Sequence, residues 1–413
     1  MKHVALDYFP EFKCLADKCN YTCCYQWRID IKKPDYMKVK NLRTSKETKE
    51  KIEHCFKRVR DDSTPYYAQM VLKEDGYCPF LTEQKMCSLQ QECGYNVLPE
   101  VCKVFPRLKN LAPNTWEHSC STGCERTVEL LLQRPEGLKL VQIPSDREEY
   151  MKKEFLQEKL DQMPALHYYK EIQILFMGIL QNRKYSMAHR MLLMGLAARD
   201  LDKVKTQQEA LAFLQKSLPL LQYSTVMEKK LQELQNNTVA GMEIALKPVL
   251  KQAILHRNQP CPDRYFLDAI DEVNKNLRVE MQHNKDDSQV HVDLDVEQYF
   301  LAQKNFWSLE YTPYFMENLM VNTMIQMQFP LSWGREIKGV WDAYIDLCMQ
   351  YNIFKVLVAS YMLNKTEIKD LVHIVTLCSR VLVHNKSLRV KLLEAWKECN
   401  WDNMAYIAYL VCI

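Results

Sequence analysis

Eleven of the sixteen cysteines lie between positions 14 and 124, four of them inside the stretch "CLADKCNYTCC". Such crowding has three explanations: disulfides, a metal or iron–sulfur site, or a catalytic thiol. The redox compartment helps to choose. "MKHVALDYFPEFKC" has no apolar run followed by a small-residue cleavage site, so it reads as neither a signal peptide nor a leader. No stretch reaches the roughly 18 apolar residues that cross a bilayer. We therefore expect a soluble, cytoplasmic protein with no membrane partner, in which thiols stay reduced and clustered thiols bind metal. A lone nucleophile, with His54 or His118 as its base, leaves most of the eleven cysteines unexplained.

Thiolates are soft ligands that select zinc or iron–sulfur clusters, at about four per centre. Zinc ribbons use paired C-x-x-C knuckles, which are absent here. A centre whose ligands arrive from separate loops suits a cluster better. Cys23 and Cys24 are adjacent, and an extended backbone would turn them to opposite faces. Cys261, Cys348, Cys378, Cys399 and Cys412 are scattered and are expected to be small buried hydrophobes.

The rest of the chain sorts by period. Residues 1–135 are interrupted by prolines at 10, 34, 65, 79, 99, 106 and 113 and carry few periodic runs. Here "WRIDI" reads as a short strand, "YCPFLTEQKMCSLQ" as two extended runs across a turn, and "NVLPEVCKVFPR" as a short helix stopping before Pro106. From about 150 onward the period is helical. Ile172, Leu175, Phe176, Ile179 and Leu180 follow the i, i+3, i+4 rule, and Ala188, Met191, Leu192 and Gly195 repeat it. Further helices are expected over 205–255, 263–282, 295–329 and 335–413, with breaks near "HRNQPCPD" and "QHNKDDSQ". The expected fold is mainly α: a small Cys-rich, loop-rich cluster domain (1–135), then a large all-helical domain (150–413). Only nine glycines in 413 residues disfavour Gly-rich phosphate loops, and a net charge of +3 without a basic block disfavours nucleic acid as partner.

"YFPEFKCLADKCNYTCCYQWRIDI", "CPFL" with "CSLQ", "LPEVCKVFPR" and, later, "ENLMVNTMIQMQFPL" occur in this order. As an ordered set they resemble the flagellin lysine-N-methylase family, and the first three also resemble small CxxCxxCC iron- or zinc-chelating proteins. The resemblance implies a 4Fe–4S cluster and methyl transfer from S-adenosylmethionine to lysines of flagellin. By matching positions it implies a ligand pool of Cys14, Cys19, Cys23, Cys24, Cys78, Cys87, Cys102 and Cys120. Cys55, Cys93 and Cys124 have no counterpart in the pattern, and which four thiols bind stays open.

Mechanistic signals are sparse. No GxGxxG turn for S-adenosylmethionine occurs, and the radical-type spacing Cys-x3-Cys-x2-Cys fails because Gln26 stands where the third cysteine would be. Trp27 is the candidate to shield a cluster or stack on adenine, and Arg107 to contact a carboxylate or a cluster sulfur. No catalytic residue is assigned; Tyr25, Glu100 and Glu310 are the conceivable bases. Two alternatives stand beside the methylase: an iron–sulfur electron-transfer protein, and a zinc-stapled protein-binding module.

Overall fold

A computed structural model describes residues 2–61, 64–113, 115–144, 151–153, 160, 163–220, 233, 237–259, 261–283, 290–332 and 337–413. Helix dominates, as expected. The middle of the 205–255 segment and most of "QHNKDDSQ" lie outside the described residues. The structure adds a five-stranded sheet in the order 140–142, 2–6, 115–120, 107–112, 151–153. Arg107–Ala112 and Thr115–Cys120 form an antiparallel hairpin, and Lys2–Leu6 runs parallel to Thr115–Cys120. In Arg107–Ala112 burial alternates residue by residue, the pattern of a strand with one face on a core.

Two hydrophobic cores result. The small one joins Ile29, Ile31, Val39, Ile52, Met70, Phe80, Leu89 and Leu98 with Cys55 and Cys78. It sits between the three-stranded sheet of Asp30–Ile31, Ala68–Met70 and Phe56–Arg58 and short helices of five to nine residues. The large core takes in Ala5, Leu6, Tyr8, Phe9 and Phe12 from the N-terminus as well as the long helices.

Val340–Tyr361 is the axis of the large core; nearly all of its 22 residues are buried. A helix apolar on every side must be surrounded, and this one packs on Met187–Asp202, Arg264–Asn276, Val296–Ser308, Ile368–Cys378 and Met404–Cys412. The 295–329 segment holds two helices, Val296–Ser308 and Thr312–Gln326, with Pro313 in the first turn of the second. The helical part also holds one antiparallel strand pair, Glu280–His283 with Val290–Asp293, so it is not purely helical. No described helix is long and apolar enough to cross a membrane.

"ENLMVNTMIQMQFPL" explains how sheet and helices are joined. Asn318 Nδ2 donates to Leu131 O at 2.9 Å, and Asn322 Nδ2 to Cys120 O at 3.1 Å. Tyr8 donates to Asn322 Oδ1 at 2.5 Å while accepting the Cys120 amide at 2.8 Å. Glu317, 1% exposed, receives Arg183 and Arg190, each at 2.8 Å. A buried carboxylate persists only when paired in this way.

Candidate metal centre

Backbone pairing assembles the cysteines from distant positions. The Cys78 amide donates to Cys24 O at 2.8 Å, and the Gln26 amide to Gly76 O at 3.0 Å. Gly76 has φ +83°, and a Cβ there would lie 2.3 Å from Gln26 Nε2, so glycine is required for this approach. Leu81 and Cys87 then bridge across the 82–86 turn, and Cys87 precedes the helix Ser88–Cys93. Cys102 rides on the helix Glu100–Val104. On the other flank, Glu125 opens the helix Glu125–Leu132 and accepts the amides of Asn20 at 3.0 Å and Tyr21 at 2.5 Å.

Electrostatics divides the thiols into two sets that share Cys23. Burial pushes the Cys78 thiol up to about 12, with Cys87, Cys55 and Cys23 adding to it. Burial raises Cys102 well above its ordinary value, helped by Cys78, Cys23 and Cys87. Cys87 is raised by burial and by Cys23. In the second set burial pushes Cys124 up to about 12, reinforced by Cys23 and Cys14. Cys19 is raised by burial, then by Glu125, Cys124, Cys14 and Cys23. Cys120 is buried and raised by burial and Cys124, against the opposing charge of Arg107.

Cys23 and Cys102 are exposed residues; the neighbouring Cys24 thiol and then burial raise the Cys23 thiol, and burial raises that of Cys102. All sixteen cysteines are free thiols. Among the described residues no three Cys, His, Asp or Glu side chains converge tightly enough to hold a metal ion.

Several expectations change. Cys23 and Cys24 occupy a turn, not a strand, and the Cys24 side chain raises the Cys23 thiol. Cys124, outside the expected pool, stands with Cys14 and Cys19. Cys55 is buried in the small core, and Cys93 packs beside it. Of the scattered five, Cys348 and Cys378 are buried and Cys412 is half-buried, but Cys261 and Cys399 are exposed.

Trp27 is half-buried against Phe105 and His384, at 5.3 and 5.9 Å between ring centres. Its indole N–H is buried with no partner among the described residues. Arg107 lies 4.9 Å over the Phe12 ring and donates to Phe12 O at 3.3 Å, beside Cys120. Of the conceivable bases, Glu100 is paired with Lys32 at 2.6 Å and Glu310 is exposed. Tyr25, 3% exposed, belongs to the thiol region; its hydroxyl accepts the Arg264 amide at 3.3 Å.

The helices reach the thiol loop through aromatic rings. Tyr21 stacks on His373 at 4.0 Å and meets Tyr265 edge-on at 4.8 Å. Tyr77 and Tyr265 hydroxyls meet at 2.5 Å. Sequence reading missed Glu125, Tyr265 and His373 as neighbours of the cysteines, because nothing local marks them.

Residues 173–410 match the FliB lysine N-methylase C-terminal domain, more than half of the chain, and the chain belongs to that family. The family expected from the ordered motifs is the one found. The chain is similar to a lysine-N-methylase of Salmonella typhimurium, 26% identical over 137 residues, which are 32% of this chain and 33% of that protein. A lysine-N-methylase of Salmonella choleraesuis gives the same figures. A flagellar biosynthetic protein FliU of Salmonella muenchen is 26% identical over 135 residues, 32% of this chain and 78% of that protein. The similarity thus spans about a third of the length of the two lysine-N-methylases. No solved structure matches.

Proposed function

We propose that the protein is a cytoplasmic protein-lysine N-methyltransferase that acts on flagellin, uses S-adenosylmethionine and carries a cysteine-ligated 4Fe–4S cluster. The observation that carries the activity is membership of the lysine N-methylase family over 173–410. The names of the similar Salmonella proteins, lysine-N-methylase and flagellar biosynthetic protein, support the reaction and the substrate. Residues 1–135 are proposed as the cluster domain and 150–413 as the helical domain.

The donor set fits a cluster in its chemistry. Cys23, Cys78, Cys87 and Cys102 are soft ligands from separate segments, and Cys23 raises the proton affinity of each of the other three. A metal relieves that mutual penalty by replacing the protons. These four are the proposed ligands, with Cys14, Cys19, Cys24, Cys120 and Cys124 as the neighbouring reserve. Trp27 fits the cofactor role through its unpartnered indole N–H. Arg107 fits an electrostatic role, since it already lowers the proton affinity of Cys120.

When bound, S-adenosylmethionine supplies the methyl group and the cluster an electron-transfer centre. The chain itself must prepare the lysine. A free amine titrates near 10.4, so baring its lone pair at pH 7 costs roughly 4–5 kcal/mol. A buried hydroxyl such as Tyr25, or plain desolvation beside Tyr21 and Tyr265, can offset part of this cost.

The test is direct. Protein purified without oxygen should be brown, hold about four irons per chain and bleach on reduction. With S-adenosylmethionine it should raise the mass of monomeric flagellin in steps of one methyl. Stoichiometric zinc and no iron would support the zinc-stapled binding module. Iron without any binding of S-adenosylmethionine would support the electron-transfer protein.

A further inference from the structure

The three middle residues of "CSTGC" (120–124) are each contacted from one turn of the C-terminal helices. Between the helices Ile368–Cys378 and Lys386–Glu398 the chain makes a π-turn, Ser379–Val383, closed by the His384 amide on Ser379 O at 2.9 Å. Such turns interrupt a helix to present side chains that a regular helix would point elsewhere. His384 Nε2 and Ser121 Oγ are 2.5 Å apart, and the Ser379 and Thr122 hydroxyls meet at 2.9 Å. Arg380 Nε donates to Gly123 O at 2.8 Å. A Cβ on Gly123 would lie 3.2 Å from Ser121 Oγ, 3.3 Å from the Arg380 side chain and 3.4 Å from His384, so a larger residue would press on all three.

Arg380 also reaches the first thiol loop. Its two terminal nitrogens donate to Tyr21 O at 2.9 Å and Thr22 O at 3.2 Å. The amides of Asn20 and Tyr21 are held from the other side by Glu125, the residue after "CSTGC". The loop carrying Cys19, Cys23 and Cys24 is therefore gripped by a carboxylate at its amides and a guanidinium at its carbonyls. A planar fork with several donors can hold three carbonyls from two loops at once, which a lysine ammonium does less well. Thr22, whose carbonyl it holds, immediately precedes Cys23, so the guanidinium charge lies next to that residue.

We propose that Arg380 is a positioning residue for the thiol centre. It locks the 19–24 loop to the 120–124 loop and places a permanent positive charge beside Cys23, so the family's C-terminal domain completes the metal site. The inference rests on the metal reading above, and its test separates the two. Arg380→Ala, Arg380→Gln and Arg380→Lys are made in the full chain. Hydrogen exchange is followed in peptides covering 19–24 and 120–124, with 347–358 as a control for folding. Iron per chain and the midpoint potential of the bound centre are measured after anaerobic reconstitution.

In Arg380→Ala the 19–24 amides should exchange at least about tenfold faster while 347–358 stays protected. Iron should fall to less than about half of the parent level, since the ligand loop is no longer held. Arg380→Gln should move the potential of whatever centre remains to more negative values, because a positive charge has gone. Arg380→Lys should restore the potential and only part of the loop protection. Unchanged exchange at 19–24 in Arg380→Ala overturns the proposal. So does faster exchange combined with parental iron and potential. Faster exchange in a chain whose parent binds no iron leaves the loop lock standing and rejects the metal reading instead.

Discussion

The small core and the large core solve opposite problems. Around Val340–Tyr361 the apolar surface is so continuous that polar groups are trapped inside, and the charged ones find partners there. Asp346 takes Arg389, Lys355 donates to Leu410 O at 2.7 Å, and Asn352 donates to Ala245 O at 2.7 Å. The small core has few large apolar side chains, and its helices are shorter than those that hold together alone. It depends on ties from outside: the 24–26 to 76–78 backbone pairing, the Tyr21, Tyr77 and Tyr265 contacts, and the proposed thiol centre. Where burial suffices, charges are satisfied internally; where it does not, cysteines and docking take its place.

The strongest challenge to this contrast is a matched pair of cavities. Phe354→Ala should destabilise the large core by about 3–5 kcal/mol, lowering the main thermal transition. Phe80→Ala removes the same ring from the small core. Hydrogen exchange should then rise through 29–98 with 340–361 still protected. One shared transition for both variants would show that the cores are not distinct in stability.

Breaking a trapped charge should be nearly as severe. Glu317→Ala leaves Arg190 buried without its carboxylate and should cost about 3–5 kcal/mol in denaturant titrations. A loss under about 1 kcal/mol would mean the large core tolerates unpaired charge.

A pH profile sharpens the contrast further. Burial pushes Glu117 up to about 7 from 4.5, only partly offset by hydrogen bonds from Gln173 and Tyr169. A carboxyl raised in the folded state binds its proton more tightly there. Its contribution is thus complete below about 4.5, declines as pH rises and is gone above about 7. Glu117→Gln should flatten stability across that window; an unchanged slope would exclude Glu117 as its source.

The mildest effect separates packing thiols from ligand thiols. Cys348→Ser, in the large core, should cost about 1–3 kcal/mol and leave iron unchanged. Cys102→Ser, at an exposed position, should change metal-free stability less than that while removing the iron. Equal iron in both variants would detach Cys102 from the metal.

The helices Tyr169–Leu180 and Met187–Asp202 were legible because i, i+3, i+4 periodicity is a local property of the chain. The strand at 30–31 and the short helix after Pro99 were legible from alternation and proline for the same reason. The sheet was not: "KHVAL" and "TWEHSC" are short and lie more than a hundred residues apart, and only their parallel pairing makes them a layer.

Sequence alone determined the kinds of chemistry present: thiols crowded before residue 125, helices after 150, and ordered motifs that name a family. Tertiary structure decided which residues meet. Cys124 joins Cys14 and Cys19, Cys23 and Cys24 share a turn, and Arg380 holds carbonyls more than 350 positions away. Composition and period are written in neighbouring residues, but a meeting across such a separation exists only once the helices have packed. No local pattern encodes it.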